Sequence, residues 1–596
     1  MSHDLTRRDL LKTIGVTGAL VPLSGAMRTP RSSQPSDAPA QQPDGTIEPL
    51  VSTSEVFIPP RGRSFMKFSY DFPEPSVQFG PYRFGFRVFT YENVYGLDRA
   101  AMTASVDGNR LELTCTRLVW AGGQQSADGS LRVMFTRDGD VVEWQATARM
   151  DQPVKSVTAV IRGVPRGEIS AAGAQPTDPR DSELLFGYPF SAGDLNSAAG
   201  LTTPLVSVVQ PDGSCTFISS RDDRVRAKRV YLQPGDTGYR VEAVFESEGW
   251  LRNNVLEVPP WRVGRAANLA AATADHYAFI ETAFRIPVFE ARPDAPDWMK
   301  GMALAVTLHG MHYTGYIFND YARMLEILHW IATRIPPDRV LAFIAAWDGR
   351  YYWNYPIYKP DHRMGGDQGF RTLVLEGRQL GFHMMPMFGT NAANTKLPNW
   401  PGIAAAATAK IDGDPMPLNW VDWDNDRHMD GWLAYMNPGV DAWRTWLHDR
   451  IADVIERFAP DAYFLDIVGG WTNNTKADMH EGTRRMILSL RSQYPQVAVV
   501  GEMHYDALLE FIPMFHSGPG SPAVQKYAHF FQHLSHPAPG RGSSGVHESG
   551  FGRWDERTLS LTPTQIPTLN IVDDTFDKYR AEMDAVIQEA KRRAGI

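Results

Sequence analysis

The chain has 596 residues, a formal net charge of −9, and contains 43% hydrophobic and 21% charged residues. This length exceeds what one hydrophobic core supports, so we expect at least two domains. The acidic balance argues against the basic stripe of nucleic-acid-binding proteins, and we expect no nucleic-acid partner. Cys115 and Cys215 are the only cysteines, which excludes a disulfide framework and a cysteine-based zinc site but leaves one bridge between them open.

The N-terminus resembles a twin-arginine export signal. Arg7 and Arg8 precede a mildly apolar stretch at residues 13–23, and Ser24-Gly25-Ala26 is suited to signal cleavage. The apolar stretch is too short to span a bilayer as a mature helix. We therefore predict a signal peptide over residues 1–26 and a disordered linker over residues 27–49, with an ordinary basic tail as the alternative. The resemblance implies a periplasmic or extracellular protein that leaves the membrane once the signal is removed.

Residues 50–265 show the pattern of an antiparallel β-sandwich. Short alternating segments recur with turn signals between them, as at Asp107-Gly108 and at Asp138-Gly139, where residues 131–136 and 141–149 form a predicted hairpin. Many short strands joined by such turns are typical of a sandwich. An alanine-rich segment with helical spacing follows, and we assign residues 266–297 to a linking helix and its exit.

From residue 298 to residue 596, predicted strands alternate with predicted helices. This alternation predicts a (β/α)8 barrel, distorted near its C-terminal end, where the last strands are weakly marked. The predicted strands are residues 302–308, 340–346, 382–388, 462–465, 497–500, 527–532 and 568–572, and the main predicted helices are residues 317–335, 370–380, 440–458, 482–494 and 577–593.

Two acidic residues end neighbouring predicted strands. Asp466 follows the apolar run at 462–465, and Glu502 follows the run at 497–500 through Gly501. Their separation, 502 − 466 = 36 residues, fits one helix and two loops. Because the C-terminal ends of parallel barrel strands share one rim, we expect both carboxylates in one pocket. Such a pair serves retaining glycoside hydrolysis, in which one carboxylate attacks the anomeric carbon and the other moves protons.

The same segments resemble a known group of enzymes. The sequence YFLDI at residues 463–467, followed by Gly501-Glu502, is similar to the catalytic core of retaining α-glycoside hydrolases of the α-amylase and endo-α-N-acetylgalactosaminidase superfamily. MNPG at residues 436–439 and Trp443-Arg444 resemble their lead-in to the nucleophile strand. The resemblance implies Asp466 as nucleophile, Glu502 as acid/base and a carbohydrate substrate. We expect no cofactor and no metal among the site residues, and a structural calcium ion stays open. Phe464 stands where amylases carry arginine, which favours the endo-α-N-acetylgalactosaminidase branch.

Further residues near the predicted strand ends are candidates for binding sugar hydroxyls or stacking on a sugar face. Each has a structural alternative: a core or rim histidine, a turn aspartate, or a hydrophobic anchor of its loop. The candidates are His309, Trp347, Asp348, Trp353, Asn391, Trp471 and His504.

Two other classes of function stay open. A metal-dependent hydrolase could use His309, His312, Asp466 and His504 at the barrel rim, although zinc sites need three or four converging ligands. A non-catalytic carbohydrate-binding protein is the second alternative, and the presence of both carboxylates argues against it. The sequence gives no indication of the oligomeric state.

Overall fold

The fold is described from a computed structural model. It describes residues 42–50, 74–120, 123–189, 199–235, 238–312, 314–409, 432–532 and 563–596, together with the single positions 413, 416, 418 and 561. The predicted signal peptide at 1–26 and most of the predicted linker lie outside the described residues. Among the described residues, no helix has the length and apolar character needed to cross a membrane.

The first large sheet contains eleven strands, all but one pair of them antiparallel. Its strands are β1 (Ile47–Leu50), β2 (Glu74–Phe79), β3 (Tyr82–Thr90), β4 (Val94–Leu97), β7 (Leu118–Trp120), β8 (Ser126–Ala127), β11 (Val154–Pro165), β13 (Leu184–Tyr188), β14 (Ala199–Gly200), β17 (Lys228–Pro234) and β18 (Gly238–Glu246).

The second large sheet contains eight antiparallel strands. Its strands are β5 (Met102–Asp107), β6 (Arg110–Cys115), β9 (Gly129–Asp138), β10 (Val141–Met150), β12 (Glu168–Ala171), β15 (Leu205–Val209), β16 (Cys215–Ser220) and β19 (Val255–Ala266).

The predicted hairpin at Asp138-Gly139 is confirmed. Strand β9 pairs with β10 from Asp138 opposite Val141, and the turn places Gly139 at φ 57°, a conformation that glycine adopts without steric cost. Aromatic side chains then join the two sheets: the ring of Phe84 on β3 lies 5.5 Å from that of Trp144 on β10. These contacts pack the sheets face to face, as expected for a sandwich.

The two cysteines are both free and buried. Cys115 lies on β6 and Cys215 on β16, and three strands of the same sheet separate them. Four interstrand steps correspond to about 19 Å at the usual spacing of about 4.8 Å. This exceeds the reach of a disulfide, so the bridge left open by the sequence does not form.

A helix leads from the sandwich to the barrel. Helix α1 (Leu269–Ala283) begins after Asn268, whose side chain accepts a hydrogen bond from the backbone N–H of Ala271. This N-cap satisfies one of the free donors of the first helical turn. The short helix α2 (Asp297–Lys300) follows immediately before the first barrel strand.

Eight parallel strands form the second unit, each hydrogen-bonded to its neighbours in chain order, with the last strand pairing with the first. A parallel bridge between Phe531 and Ile566 joins the remaining gap, so the sheet closes into a barrel. The strands are β20 (Leu304–His309), β21 (Val340–Ala345), β22 (His383–Gly389), β25 (Ala462–Asp466), β26 (Ala498–Glu502), β27 (Met514–His516), β28 (His529–Phe531) and β29 (Thr568–Ile571). A two-stranded ribbon, β23 (Ala392–Asn394) and β24 (Leu433–Tyr435), lies outside this sheet.

Helices accompany the first part of the barrel more completely than the last. The barrel helices are α3 (Tyr321–Ala332), α4 (Gly366–Leu380), α5 (Trp400–Ile403), α6 (Asp441–Phe458), α7 (Met479–Gln493), α8 (Thr575–Lys578) and α9 (Arg580–Ala594). Between β26 and β28 the connections contain only 3₁₀ turns at Asp506–Glu510 and Pro522–Lys526. The predicted sixth strand at 527–532 is therefore the seventh, because the three-residue strand Met514–His516 precedes it.

Candidate active site

Ring contacts identify which side chains face the barrel interior. Phe343 on β21 lies 4.4 Å from Phe464 on β25, and both rings lie within 6 Å of His516 on β27. Side chains contributed by alternate strands at one level form a layer inside a parallel barrel. Since side chains alternate along a strand, Asp466 faces inward as Phe464 does, one layer nearer the C-terminal rim.

Glu502 occupies the corresponding place on the next strand. Leu465 pairs with Gly501, and Glu502 pairs with the inward-facing His516, so Asp466 and Glu502 are adjacent and face the same interior. Each is only 1% exposed. Neither carboxylate is therefore a surface acid.

The backbone turns sharply directly after each carboxylate. Ile467 has φ 56° and Met503 has φ 59°, a region that non-glycine residues rarely adopt and that is especially unfavourable for a β-branched side chain. The turns bring the two strand ends together: the N–H of Ile467 donates to Oε2 of Glu502 at 2.9 Å, and the N–H of Gly469 donates to the Glu502 carbonyl at 3.0 Å. Strain of this kind persists where the surroundings over-determine the conformation, as at functional sites.

Gly501 allows close packing around the end of β26, the strand that carries Glu502. A Cβ added there would lie 2.7 Å from Cγ1 of Val468 and 3.1 Å from the ring of Phe515. Any side chain at this position would displace the loop after Asp466 or the neighbouring strand.

A tyrosine lies beside Asp466. A Cβ added at Gly389, the last residue of β22 and the strand partner of Asp466, would lie 2.4 Å from the ring of Tyr355. Burial raises the pKa of the Tyr355 hydroxyl well above its usual range, and the negative charge of Asp466 raises it further. Its hydroxyl has no hydrogen-bond partner among the described residues. Tyr355 therefore offers a neutral O–H next to Asp466.

Asp348 is buried in the loop after the second barrel strand. Burial raises the pKa of its carboxyl to about 8, and the charge of Asp361 acts in the same direction. The carboxyl in turn raises the pKa values of Tyr355 and Tyr358, both of which also feel the charge of Asp466. Its Oδ2 meets no hydrogen-bond partner within the described ranges. Asp348 therefore belongs to the same polar group as Asp466.

His309 and Trp353 lie at the mouth of the barrel. His309 ends the first strand, and its ring contacts Tyr351 at 5.3 Å and Phe318 at 5.5 Å. Trp353 is half-buried, 4.9 Å from the ring of Trp432, with the guanidinium of Arg350 4.3 Å from its ring centre. Both side chains lie at the rim, and their contacts with a sugar stay a prediction.

Asn391 and Trp471 lie in the structure that supports Asp466. The amide of Asn391 donates to the Tyr435 hydroxyl at 3.0 Å and to the Ile467 carbonyl at 3.1 Å, so it braces the strained turn after Asp466. Trp471 is buried in the loop that continues from this turn, and its indole N–H has no partner in the described part of the chain.

Trp347 and His504 lie away from the barrel interior. Trp347 is fully buried, stacks on Phe370 of α4 at 4.7 Å, and donates its indole N–H to the Met387 carbonyl at 2.9 Å. His504 contacts Phe515 and Phe530, which alternate with inward-facing residues and so face outward. These contacts give Trp347 and His504 packing roles instead of the predicted sugar contacts, because the turns after their strands direct both side chains outward.

The four residues of the metal alternative do not converge. His312 contacts the Thr314 hydroxyl at 2.7 Å through Nδ1, and the ring of His504 lies among outward-facing aromatics. Across the described ranges, no group of three or more His, Cys, Asp or Glu side chains has a geometry suited to a metal ion.

The sandwich makes contacts with the rim that were not predicted from the sequence. Asp506, four residues after Glu502, bonds to Tyr188 and Thr203 of the sandwich, and Asn473, seven residues after Asp466, bonds to the backbone of Ser247 and Gly249. The one available signal was an acidic residue inside the apolar segment YDALLEFI at 505–512.

No protein-family model matches the chain, and no curated protein matches its sequence. The fold is similar to solved structures of an α-N-acetylgalactosaminidase from Bifidobacterium bifidum. The ligand-free form has a TM-score of 0.61 and 11% sequence identity, over 87% of this chain and 93% of that chain. The complex with GalNAc has a TM-score of 0.61 and 12% identity, over 87% and 90% of the two chains. At this identity the similarity shows the shared fold alone.

Proposed function

We propose that the chain is a retaining glycoside hydrolase that cleaves an α-linked sugar. The observation that carries the proposal is the pair of buried carboxylates, Asp466 and Glu502, which end adjacent barrel strands and face one interior. Adjacent strand ends suit the separation of about 5–5.5 Å between carboxyl groups that double displacement requires. The buried setting strengthens electrostatic interactions with developing charge.

In the first step, a carboxylate oxygen of Asp466 attacks the anomeric carbon from the face opposite the leaving group. The bond between this carbon and the glycosidic oxygen breaks, and Glu502 in its protonated form gives its proton to that oxygen. The products are a free alcohol, a β-linked glycosyl ester on Asp466, and an ionised Glu502.

In the second step, ionised Glu502 removes a proton from water. The water oxygen attacks the anomeric carbon and the ester bond to Asp466 breaks, which releases a sugar of retained α configuration. Glu502 is protonated again and Asp466 is again a carboxylate. The hydrogen bond from the Ile467 N–H to Glu502 holds the acid/base toward Asp466 in both steps.

The unpartnered polar atoms around Asp466 are suited to sugar hydroxyls. Oδ2 of Asp348 and the hydroxyl of Tyr355 are buried without a described partner, and binding a sugar would satisfy both. His309 and Trp353 would add a polar and a stacking contact at the mouth. Since the similar solved fold is named an α-N-acetylgalactosaminidase, aryl α-N-acetylgalactosaminides are the first substrates to test. We further propose export by the twin-arginine route, which N-terminal sequencing of the mature protein tests.

The experiment compares Asp466→Ala and Glu502→Ala with the wild type on aryl α-N-acetylgalactosaminides. We expect both variants to lose turnover and azide to restore part of it. Azide should give a β-glycosyl azide with Asp466→Ala, where it replaces the nucleophile. It should give an α-glycosyl azide with Glu502→Ala, where it attacks the glycosyl ester. NMR of the products identifies each anomer.

The control is Asp461→Asn, because Asp461 immediately precedes the catalytic strand, at the opposite end from Asp466, and its carboxylate binds the Met384 N–H at 3.0 Å. This variant should keep its activity. An inverted sugar product from the wild type would contradict the retaining mechanism. Full activity of Asp466→Asn would refute Asp466 as the nucleophile. Inactivity of the wild type on a broad panel of aryl α-glycosides would favour a non-catalytic sugar-binding protein.

A further inference from the structure

The turn that begins at Glu502 is fastened to the sandwich four residues later. Asp506 is buried, and its two carboxylate oxygens accept hydrogen bonds from the Tyr188 hydroxyl and the Thr203 hydroxyl, each at 2.6 Å. Its N–H donates to the Thr202 carbonyl at 2.7 Å. Tyr188 ends strand β13 and Thr203 precedes β15, so both sheets of the sandwich reach Asp506 through their ends.

The segment between Glu502 and Asp506 has little freedom to absorb a shift. Met503 holds a positive φ, and His504 is enclosed by Phe515 and Phe530. The hydroxyl of Tyr505 contacts Nδ1 of His480 on α7 at 2.9 Å. Because every residue of this short segment is buried, a displacement of Asp506 is passed on to Glu502.

Burying the Asp506 carboxylate costs free energy, so stability alone does not explain this contact. Burial raises the pKa of the Asp506 carboxyl to about 6, against the hydrogen bonds from Thr203 and Tyr188 and the nearby charge of Lys228. A buried carboxylate is weak evidence for stabilisation, since apolar contacts of the same shape often stabilise an interface as well. What the carboxylate adds is a fixed geometry, because it holds two hydroxyls and the adjacent Ala507 N–H in defined directions.

We propose that Asp506 is a positioning residue that holds the acid/base Glu502 in register with the leaving group from the sandwich side. This inference depends on the proposed function, in which Glu502 protonates the leaving oxygen. The sandwich then takes part in the reaction, because its residues Tyr188 and Thr203 position Glu502 through Asp506.

The test uses the dependence of the reaction on leaving-group acidity. A leaving group such as 2,4-dinitrophenolate departs without protonation, whereas phenolate needs the general acid. The quantity compared is kcat/KM, which reports the first chemical step. In Asp506→Asn, kcat/KM for the phenyl α-N-acetylgalactosaminide should fall about 10- to 100-fold, the scale of a misplaced catalytic group. That for the dinitrophenyl glycoside should change less than about 3-fold, because this substrate does not use the acid.

The second step gives an independent readout. Glu502 acts there as the base for water whatever the leaving group, so kcat for the dinitrophenyl glycoside should fall in Asp506→Asn. Azide needs no base and should restore this kcat while forming the α-glycosyl azide. A merely structural loss would not be restored by azide.

The matched control is Asn473→Ala, which removes another contact between sandwich and barrel. Asn473 donates to the Ser247 carbonyl and accepts from the Gly249 N–H, both at 2.8 Å, in the loop that follows the nucleophile. This variant should affect both substrates by the same factor. Tyr188→Phe keeps the ring and removes one hydroxyl from Asp506, so it should reproduce the selective loss in weaker form and serves as the test variant if Asp506→Asn does not fold.

Each outcome is decisive. Equal losses on the two glycosides, or no loss on either, in Asp506→Asn and in Tyr188→Phe would overturn the positioning role. Two other results would instead refute the proposed function on which the inference depends. One is a wild-type protein that turns over neither glycoside, and the other is a Glu502→Ala variant that keeps full activity.

Discussion

Under the proposed function, the carboxyl of Asp348 both binds a sugar hydroxyl and makes the stability of the protein depend on pH. It is buried, one oxygen has no described partner, and burial raises its pKa from an ordinary value of 3.8 to about 8. A carboxyl whose pKa is higher in the folded than in the unfolded chain stabilises the fold most at low pH. That stability is lost as the pH rises from the unfolded pKa to the folded one. Asp348→Asn removes the ionisation and should therefore stabilise the protein increasingly as the pH rises.

The magnitude follows from the pKa difference. Each unit corresponds to about 1.4 kcal/mol. On going from about pH 5.5 to about pH 8.5, the wild type loses unfolding free energy until the pH reaches the folded pKa of about 8. This interval of roughly two and a half pH units corresponds to a loss of about 3 kcal/mol. The Asn variant has no such slope. At the same time it loses an ionisable partner for a sugar hydroxyl, so KM for the glycoside should rise as stability improves.

The assay is urea unfolding of both proteins at the two pH values, followed by tryptophan fluorescence. The control is Asp212→Asn in an exposed turn of the sandwich, where hydrogen bonds from the Ser214 hydroxyl and N–H lower the carboxyl pKa. Because that group stays ionised across the range, its replacement should give the same stability difference at both pH values. An Asp348→Asn difference that is equally independent of pH would refute the buried, protonated carboxyl inferred above.

Two further predictions concern residues that support the rim. Asn391→Ala leaves the Ile467 carbonyl without its donor, so it should cost about 1–3 kcal/mol in unfolding free energy. Because the turn after Asp466 would shift, kcat should also fall about 10- to 100-fold. Unchanged kcat in a folded variant would contradict the bracing role. Trp347→Ala should cost about 3–5 kcal/mol because it empties a core position stacked on Phe370, whereas the folded fraction should keep the KM of the wild type; a raised KM would restore Trp347 to the sugar-binding group.

The shared inward placement of Asp466 and Glu502 was predictable because it depends on a repeating feature of the chain. Continuous apolar runs indicate strands buried on both faces, and the residue that ends such a run lies at the rim of a parallel barrel. Locating the two strand ends was therefore enough to place Asp466 and Glu502 at the rim. Their inward direction then follows from the alternation of side chains, which the ring contact between Phe343 and Phe464 makes visible.

Residues just beyond the strand ends were less predictable. A positive φ at Ala346 directs the following Trp347 into the core, and a positive φ at Met503 does the same for His504. Nothing in the residue types announces these turns, since neither position is glycine. The partners of Asp506 were also hidden, because Tyr188 and Thr203 lie more than 300 residues earlier and only the folded chain brings them together.

The strained turns are distributed in a way that relates the sandwich to the chemistry. Positive φ values follow four barrel strands, at Ala346, Ile467, Met503 and Asp573, and a residue in such a region costs about 1–3 kcal/mol. The two turns that hold the proposed catalytic acids are also those whose loops the sandwich fastens, through Asn473 and Asp506. Hydrogen bonds from the sandwich therefore help to hold these strained turns in place. Removing the sandwich would take away one support of each turn and leave those within the barrel, such as the hydrogen bond from Asn391 to the Ile467 carbonyl. We therefore expect the positions of Asp466 and Glu502 to depend in part on the neighbouring domain.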